Sequence, residues 1–350
     1  MKREIDAAIA RVLSGGNLIL RQDVEDFEKT LAKFLKVKFA IGLNSCTDGL
    51  ILSLKAAGIG PGDEVITVAH TFVASIAAIV HAGATPVLID INDDYLMNPD
   101  LLEKAITLKT KAIIPVHLNG RVCQMDKICQ IAKKHKLLII EDAAQGLGAI
   151  FKSKKAGSFG LTGCFSFYPA KLLGAFGDAG AVVTNSKKIF DQLKLYRDHG
   201  RKTKDEIVCY GFTSRLDNIQ AAILNVKFKY LRQWINRRRK LAHIYNHGLK
   251  NIPEITIPPV SDADHLDTYQ NYVIRAQKRD ELHEYLKQKG IETIISNPVA
   301  VNKQKKLGLS RFKLPQTELF AKEVISLPLI PELSEKQIEY TVKIIRQFYK

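Results

Sequence analysis

From about residue 38 to 185 the chain repeats one pattern: a short apolar run, a turn, then a longer stretch of helical periodicity. The runs are FAIGL (39–43), EVITVA (64–69), TPVLIDI (85–91), KAIIPVH (111–117), KLLIIED (136–142), CFSFYP (164–169) and GAVVTN (180–185). Most are apolar on consecutive residues, which predicts strands covered on both faces. Helical patterns lie between many of them, at 48–57, 74–81, 100–105 and 125–135. Strand and helix in alternation predict an α/β layer fold with a mainly parallel sheet. Ligands of such folds sit beyond the carboxyl ends of the strands, where the loops converge.

Past residue 187 the texture changes to long helical stretches at 187–199 and 216–247, the second with apolar Ile219, Ala222, Ile223, Val226 and Leu231. Beyond Pro253 the pattern predicts a strand at 272–275, a helix at 278–289 and a closing helix at 334–349, where Ser334 and Gln337 have capping-box spacing. A lobe boundary is expected near 235–255, dividing the chain into domains 1–240 and 241–350. No repeat, low-complexity run or Gly/Ser linker interrupts it, so the lobes are expected to pack tightly.

The 350 residues suffice for about two domains of ~150 residues. With 46% hydrophobic and 25% charged residues, the composition excludes disordered and fibrous classes. Charge changes the picture: 52 Lys and Arg stand against 36 Asp and Glu, a net +16. Residues 187–250 alone hold 16 basic and 5 acidic residues. Such an excess suits small anionic ligands, nucleic acid or a membrane surface, or is a solvated lysine-rich surface. The run Asn236-Arg237-Arg238-Arg239-Lys240 is the best nucleic-acid candidate, yet no aromatics interleave it, and it is expected to be a solvated helix face. No nucleic-acid partner is therefore expected. The five cysteines form no CxxC pair, so neither a zinc site nor a disulfide framework is indicated. The N-terminus lacks the apolar core of a signal peptide. The most apolar window, 72–91, contains His81, Gly83, Pro86 and Asp90 and predicts a buried helix and strand, not a membrane span. A cytoplasmic location is expected.

Four features could carry chemistry. Glu141 and Asp142 close the apolar run 136–142, where an acid must meet a cation or hydrogen-bond donors. An ion pair, a helix cap and a functional site all satisfy that demand. Lys171 follows an aromatic strand in a loop loosened by Gly174, Gly177 and Gly180, a setting for a nucleophilic amine of lowered pKa or for a solvent-facing lysine. Asn44-Ser45-Cys46-Thr47-Asp48 joins a strand to a helix and suits phosphate binding or an ordinary helix cap. Phe72 is either core or a platform for a planar ring.

Together these segments resemble the DegT/DnrJ/EryC1/StrS family of pyridoxal-phosphate-dependent sugar aminotransferases, within the aspartate-aminotransferase superfamily of fold type I. The matching blocks include NSCTDGL (44–50), GIGPGDEVI (58–66), HTFVAS (70–75), AIIPVHLNG (112–120), IIEDAAQGLGA (139–149), CFSFYPAK (164–171), GDAGAVVTN (177–185), SRLDNIQAA (214–222) and SLPLIPELS (326–334). They recur in family order over nearly the whole chain.

The resemblance implies a large domain with a mainly parallel seven-stranded sheet flanked by helices, and a smaller α+β C-terminal domain. It implies Lys171 as the Schiff-base lysine and Asp142 as the partner of the pyridinium nitrogen. Gln145 is implied near the ring's phenolic oxygen, Phe72 on the ring face, and Ser45, Cys46, Thr47 and Ser166 around the phosphate. Tyr168 and Arg215 are implied to border the substrate. The active sites are implied to be shared across a homodimer, with the loop Gly211-Phe212-Thr213-Ser214-Arg215 reaching the partner's phosphate. In that loop Thr213 stands where Asn is usual, and Cys46 replaces a frequent Gly. Ser296-Asn297-Pro298 and the residues after it depart from the family's His-Tyr-Pro block, so sugar specificity is not carried over.

The implied activity is amino transfer from an amino acid, glutamate by resemblance, through pyridoxamine phosphate to carbon 3 or 4 of a nucleoside-diphosphate-linked keto-deoxysugar. Amino-sugar and surface polysaccharide biosynthesis is the implied setting. Two other readings are a pyridoxamine-phosphate-dependent sugar dehydratase and a non-catalytic nucleotide-sugar-binding or regulatory homologue. Intact Lys171 weighs against the first, because those dehydratases carry His at the lysine position, and intact Lys171 and Asp142 weigh against the second.

Overall fold

The computed structural model describes residues 1–350. Nine strands occupy the first 185 residues: β1 Phe39–Leu43, β2 Glu64–Val68, β3 Thr85–Ile89, β4 Thr110–Ile113, β5 Leu138–Asp142, the short β6 Ile150–Phe151 and β7 Lys154–Lys155, β8 Thr162–Ser166 and β9 Gly180–Thr184. Seven of them form one sheet in the order β1-β9-β8-β5-β4-β2-β3. Neighbours from β3 through β8 run parallel, and β9 alone runs against the strands beside it. Around the sheet lie helices α1 Lys2–Gly15, α2 Gln22–Leu35, α3 Cys46–Ala56, α4 Ala74–His81, the single turn α5 Leu102–Ala105, α6 Met125–Lys134, α7 Lys187–Arg197 and α8 Asn218–Phe228.

Consecutive apolar residues in the strands have a direct physical reason. Side chains alternate between faces, and each face of this sheet has its own core. Ile41, Val65, Ala112, Ile114, Ile140, Cys164 and Val182 pack with residues of α3, α4 and α7 on one side. Ala40, Ile66, Ile113, Ile139, Phe165 and Val183 pack with Phe27 and Leu31 of α2 and Ile128 of α6 on the other. The run 164–169 stops being strand at Ser166, because the chain loops back there: Phe167 N–H donates to Ala179 O and Ala175 N–H to Phe167 O. The patterned segment 100–105 is a 3₁₀ turn, Pro99–Leu101, followed by α5.

The predicted helix 216–247 is two helices, α8 and α9 Leu231–Leu249. At the break Lys229 and Tyr230 donate to carbonyls three residues back, a tighter winding than the α-helix. α9 then crosses between cores: its Leu231 and Ile235 join the sheet's core, whereas Leu241, Ala242, Tyr245 and Leu249 join another. That third core includes Tyr272 and Ile274 of β12 Tyr272–Ala276, Leu282 and Leu286 of α10 Arg279–Gln288, Ile325 and Leu327 of β13 Val324–Leu327, and Ile338 and Ile345 of α12 Glu335–Phe348. β12 is central in a three-stranded antiparallel sheet between β10 Ile255–Thr256 and β13. The two-residue β11 His265–Leu266 pairs back onto β6, and α11 Pro315–Glu323 completes the elements. No helix is long and apolar enough to cross a membrane.

The arginine run at 237–239 is not a solvated face. Arg238 is buried, and its Nη1 donates to the carbonyls of Tyr269 at 3.0 Å, Gln270 at 3.2 Å and Leu329 at 2.6 Å. Arg237 donates to Glu335 and to Leu333 O, and Arg239 Nε to Asp267 O at 2.7 Å. These carbonyls belong to irregular segments that no ladder satisfies, so guanidinium groups take the place of backbone donors. Burial lowers Arg238 to about 10, which leaves it cationic at neutral pH.

Replacing Arg238 with Met keeps the bulk and strips three buried carbonyls of their donor. The expected loss is about 2–4 kcal/mol of stability, read as a lower urea midpoint, while Arg232→Met on the exposed side of the same helix leaves the midpoint nearly unchanged. Equal midpoints for the two variants would contradict the stapling role.

Candidate active site

Loops after β1, β2, β4, β5 and β8 converge at the carboxyl edge of the sheet around a cavity of about 560 Å³. It is lined by nine of the eleven residues singled out from the sequence: Ser45, Cys46, Thr47, Phe72, Asp142, Gln145, Ser166, Tyr168 and Lys171.

Glu141 and Asp142 end β5 and point to opposite faces, as successive strand residues must. Glu141 is fully buried and accepts N–H groups from Gly157, Phe159 and Gly160 at 2.7 Å each. His117 Nε2 lies 2.9 Å from it, while His117 Nδ1 accepts from Cys123 N–H, so the ring is the Nε2–H tautomer donating to Glu141. This acid is structural. Gly157 and Gly163 make the crossing possible, since a Cβ on Gly163 would lie 2.3 Å from Gly157 Cα.

Asp142 faces the cavity. Its main chain is locked to the strand beside it, with N–H donating to Pro115 O and C=O accepting from His117 N–H, both at 2.9 Å. Its carboxylate accepts from Ser75 Oγ at 2.7 Å and Ala144 N–H at 3.1 Å, and Cys46 Sγ lies 4.0 Å away. Ser75 is in turn 2.7 Å from Thr71 Oγ1. No cationic side chain pairs with this buried acid. Burial pushes the Cys46 thiol well up, with Asp142 adding to the shift, so it is neutral and faces the carboxylate.

Lys171 stands on the loop after β8, where its N–H donates to Tyr168 O at 2.8 Å. Gly174 is required in that loop, because a Cβ there would lie 2.3 Å from Pro169 O. Burial holds the Lys171 amine below the usual lysine range, with nearby Asp142 opposing it. The loop is clamped from the C-terminal unit: Gln270 Oε1 accepts from Leu172 N–H at 2.7 Å and its Nε2 donates to Ala170 O at 3.1 Å.

At the cavity's other end Ser45 caps α3, its Oγ accepting from Asp48 N–H at 3.1 Å. The first-turn N–H groups of Cys46 and Thr47 have no intrahelical acceptor and sit at the positive end of the helix, a ready anion site. Gly180 of β9 allows the close approach, since a Cβ would lie 2.3 Å from the Ser45 carbonyl carbon. Ser166 also faces this space. Phe72 lies at the mouth with 68% of its surface exposed, so it is not core and presents a flat apolar face to the cavity. Gln145 Oε1 accepts from Asn119 N–H at 2.7 Å and lies 3.4 Å from Asn271 Nδ2.

Thr213 and Arg215 do not reach this cavity within one chain. Thr213 Oγ1 is 3.1 Å from His199 Nε2, and Arg215 pairs with Asp198 at 3.1 Å. The segment before them exposes Ile207, Val208 and Tyr210. Ser75, Gln270 and Asn271 are parts of the site that sequence reasoning missed. Ser75 closes the block HTFVAS, and its spacing of one helical turn from Thr71 was the available signal. Gln270 and Asn271 lie about a hundred residues from Lys171 in sequence and carry no local pattern.

Pyridoxal phosphate fits these residues. An anion site, a poised amine, a flat apolar face and a buried carboxylate that lacks a cation are the four contacts its phosphate, aldehyde, ring face and protonated ring nitrogen require.

A family model described as the DegT/DnrJ/EryC1/StrS aminotransferase family matches residues 1–346. A dTDP-3-amino-3,6-dideoxy-alpha-D-galactopyranose transaminase of Aneurinibacillus thermoaerophilus is 41% identical, over 99% of this chain and 96% of its own. A pleiotropic regulatory protein of Geobacillus stearothermophilus is also 41% identical, over 100% and 95%. Among solved structures, S. venezuelae DesV in complex with a ketimine intermediate superimposes with a TM-score of 0.96 at 39% identity, over 100% of this chain and 95% of that one. Further matching structures are in pyridoxal phosphate and pyridoxamine phosphate forms.

Because burial disfavours the charged amine, Lys171 holds more neutral amine at a given pH than an exposed lysine does. In cofactor-free protein its arylation by fluorodinitrobenzene, followed by peptide mapping, is expected to rise with pH at a midpoint below that of the surface lysines. A midpoint at or above theirs would contradict the burial argument.

Proposed function

Because this chain belongs to the DegT/DnrJ/EryC1/StrS aminotransferase family and is a pyridoxal-phosphate-dependent sugar aminotransferase, we propose that it moves an amino group from L-glutamate to a keto group of a nucleoside-diphosphate-linked deoxysugar. Position 3 is favoured by the 3-amino product in the relative's name; position 4 is the alternative. The bound cofactor supplies an electron sink for labilising a bond at the amine-bearing carbon. One observation carries the assignment of residues: Asp142, buried without a cationic partner, shares a cavity with Lys171, whose amine is lowered by burial.

In this reading Lys171 would anchor the cofactor, and its Nζ, when free, would hold and deliver the proton at the substrate carbon. Asp142, held in place by Ser75 and Ala144, keeps the ring nitrogen protonated. Ser45, Cys46, Thr47 and Ser166 hold the phosphate, Phe72 covers the ring, and Gln145 meets the phenolic oxygen. Tyr168 and Arg215 border the substrate. Thr213 reaches the phosphate of a second copy in a homodimer, which its position outside its own cavity and the exposed Tyr210 beside it support. The domains are 1–240 and 241–350, sharing α9, and the setting is cytoplasmic polysaccharide biosynthesis.

The regulatory name of the Geobacillus relative favours a second reading, a non-catalytic protein that binds a nucleotide-sugar. Retention of Lys171, Asp142 and the anion site together weighs against it, since binding alone needs no buried amine. The dehydratase reading is weakened by the same lysine.

Purified protein loaded with cofactor is expected to absorb in the visible and to lose that band on addition of L-glutamate. Lys171→Ala should abolish the band and lower amino transfer by at least about 10²-fold. Light scattering should report twice the mass of one chain. Near wild-type turnover in Lys171→Ala would sink the residue assignment, and a monomer would sink the shared site.

A further inference from the structure

Past Phe72 and Gln145 the cavity opens into an annex of about 270 Å³. Its thirteen lining residues include four side-chain amides, from Asn119, Gln145, Asn271 and Asn297, and no Asp, Glu, Lys or Arg. The single ionisable ring is His70, and burial lowers it to about 4, so it is neutral at physiological pH. Arg275, on the same strand as the lining residue Val273, is held over the Phe320 ring at 4.3 Å. Lys171 belongs to the cofactor cavity and not to the annex.

Hydrogen bonds fix how two of the amides present themselves. The Gln145 oxygen is engaged by Asn119 N–H and approached by Asn271 Nδ2, which leaves the two N–H groups of Gln145 as donors, one for the cofactor's phenolic oxygen and one for the annex. Asn297 Nδ2 donates to Thr71 O at 2.9 Å, which leaves its Oδ1 free as an acceptor. Asn297 also has φ of 51°, a left-handed conformation that Asn tolerates better than most residues. Paired donors and acceptors without charge match hydroxyl and acylamino groups. A carboxylate in the annex would lose hydration, meet the Asn297 oxygen and find no cation among the annex's own lining residues.

We propose that this annex selects the sugar, taking an uncharged hydroxylated or acylamino keto-sugar ring and discriminating against one that bears a carboxylate. This rests on the aminotransferase reading above and names the substrate class of the same site.

The test uses cofactor-loaded enzyme, L-glutamate and matched pairs of nucleotide-linked 3-keto- and 4-keto-sugars that differ only in a hydroxymethyl or a carboxylate on the ring. The uncharged member is expected to have the higher kcat/KM by at least about tenfold. Ser296→Arg, at an exposed lining position, should narrow that ratio by raising the carboxylate sugar. Loss of the visible band on glutamate alone, measured in both proteins, reports the first half-reaction independently. If that half fails in the wild type, the aminotransferase reading fails. If it proceeds and the carboxylate sugar is used equally or better, if no pair reacts, or if Ser296→Arg leaves the ratio unmoved, the annex proposal is overturned.

Discussion

Asp142 is a carboxylate buried at the end of a central parallel strand, with neutral donors for company and no cation of its own. Desolvating an ion is costed at several kcal/mol even after a protein relaxes around it. Ser75 Oγ and Ala144 N–H recover part of that, and they hold the carboxylate aimed at the cavity. A ligand with a protonated ring nitrogen recovers more, which makes the folded site one half of an ion pair. The rest of the arrangement keeps this half in place. β5 lies between β4 and β8, the main chain of Asp142 is tied to Pro115 and His117, and neighbouring Glu141 is consumed by the loop 157–160 and His117. Two adjacent acids thus part ways, one tied into the scaffold and one facing the cavity.

The C-terminal unit is tied to that same site. Gln270 clamps the Lys171 loop, Asn271 approaches Gln145, and Asn297 reaches Thr71 beside Phe72. Arg238, rising from α9 where it passes between cores, binds the carbonyls of Tyr269 and Gln270 just before these contacts. The clustered positive charge of residues 187–250 is thereby partly explained. Arg197, Arg215, Arg237, Arg238 and Arg239 all serve internal carboxylates or carbonyls, so much of what composition suggests as a surface field is scaffold. Of the lysines in the same stretch, Lys187, Lys202, Lys229 and Lys240 pair with Asp191, Glu206, Glu4 and Glu335, and Lys227 donates to Gly174 O; nothing in the structure explains Lys188, Lys204 and Lys250.

What was legible in the sequence was local or periodic. Consecutive apolar residues in 138–140 and 181–183 read as strands because two cores sandwich them, and Lys171, Asp142 and the Ser45 cap stood out as candidates by their place at strand ends, with their roles implied by the family resemblance. What was not legible depends on partners far away in the chain. The arginine run looked solvated because its acceptors are main-chain carbonyls, which no side-chain pattern reveals. The break at residues 229–230 escaped because both residues keep right-handed helical backbone and the apolar period runs through it. Ser75, Gln270 and Asn271 are common polar residues whose meaning comes from what they face. Glu141 and Asp142, equivalent by composition and position in the run, were told apart beforehand only by the family resemblance, and strand alternation gives the physical reason they face opposite ways.

The central claim is that the Lys171 amine, opposite Asp142, is the covalent anchor of the cofactor. Borohydride reduction of the loaded protein, followed by proteolysis and mass spectrometry, tests this directly. The account predicts one stable pyridoxyl modification, on Lys171. Modification at a different lysine, or recovery of unmodified Lys171 from protein that carried a full complement of cofactor, would contradict it.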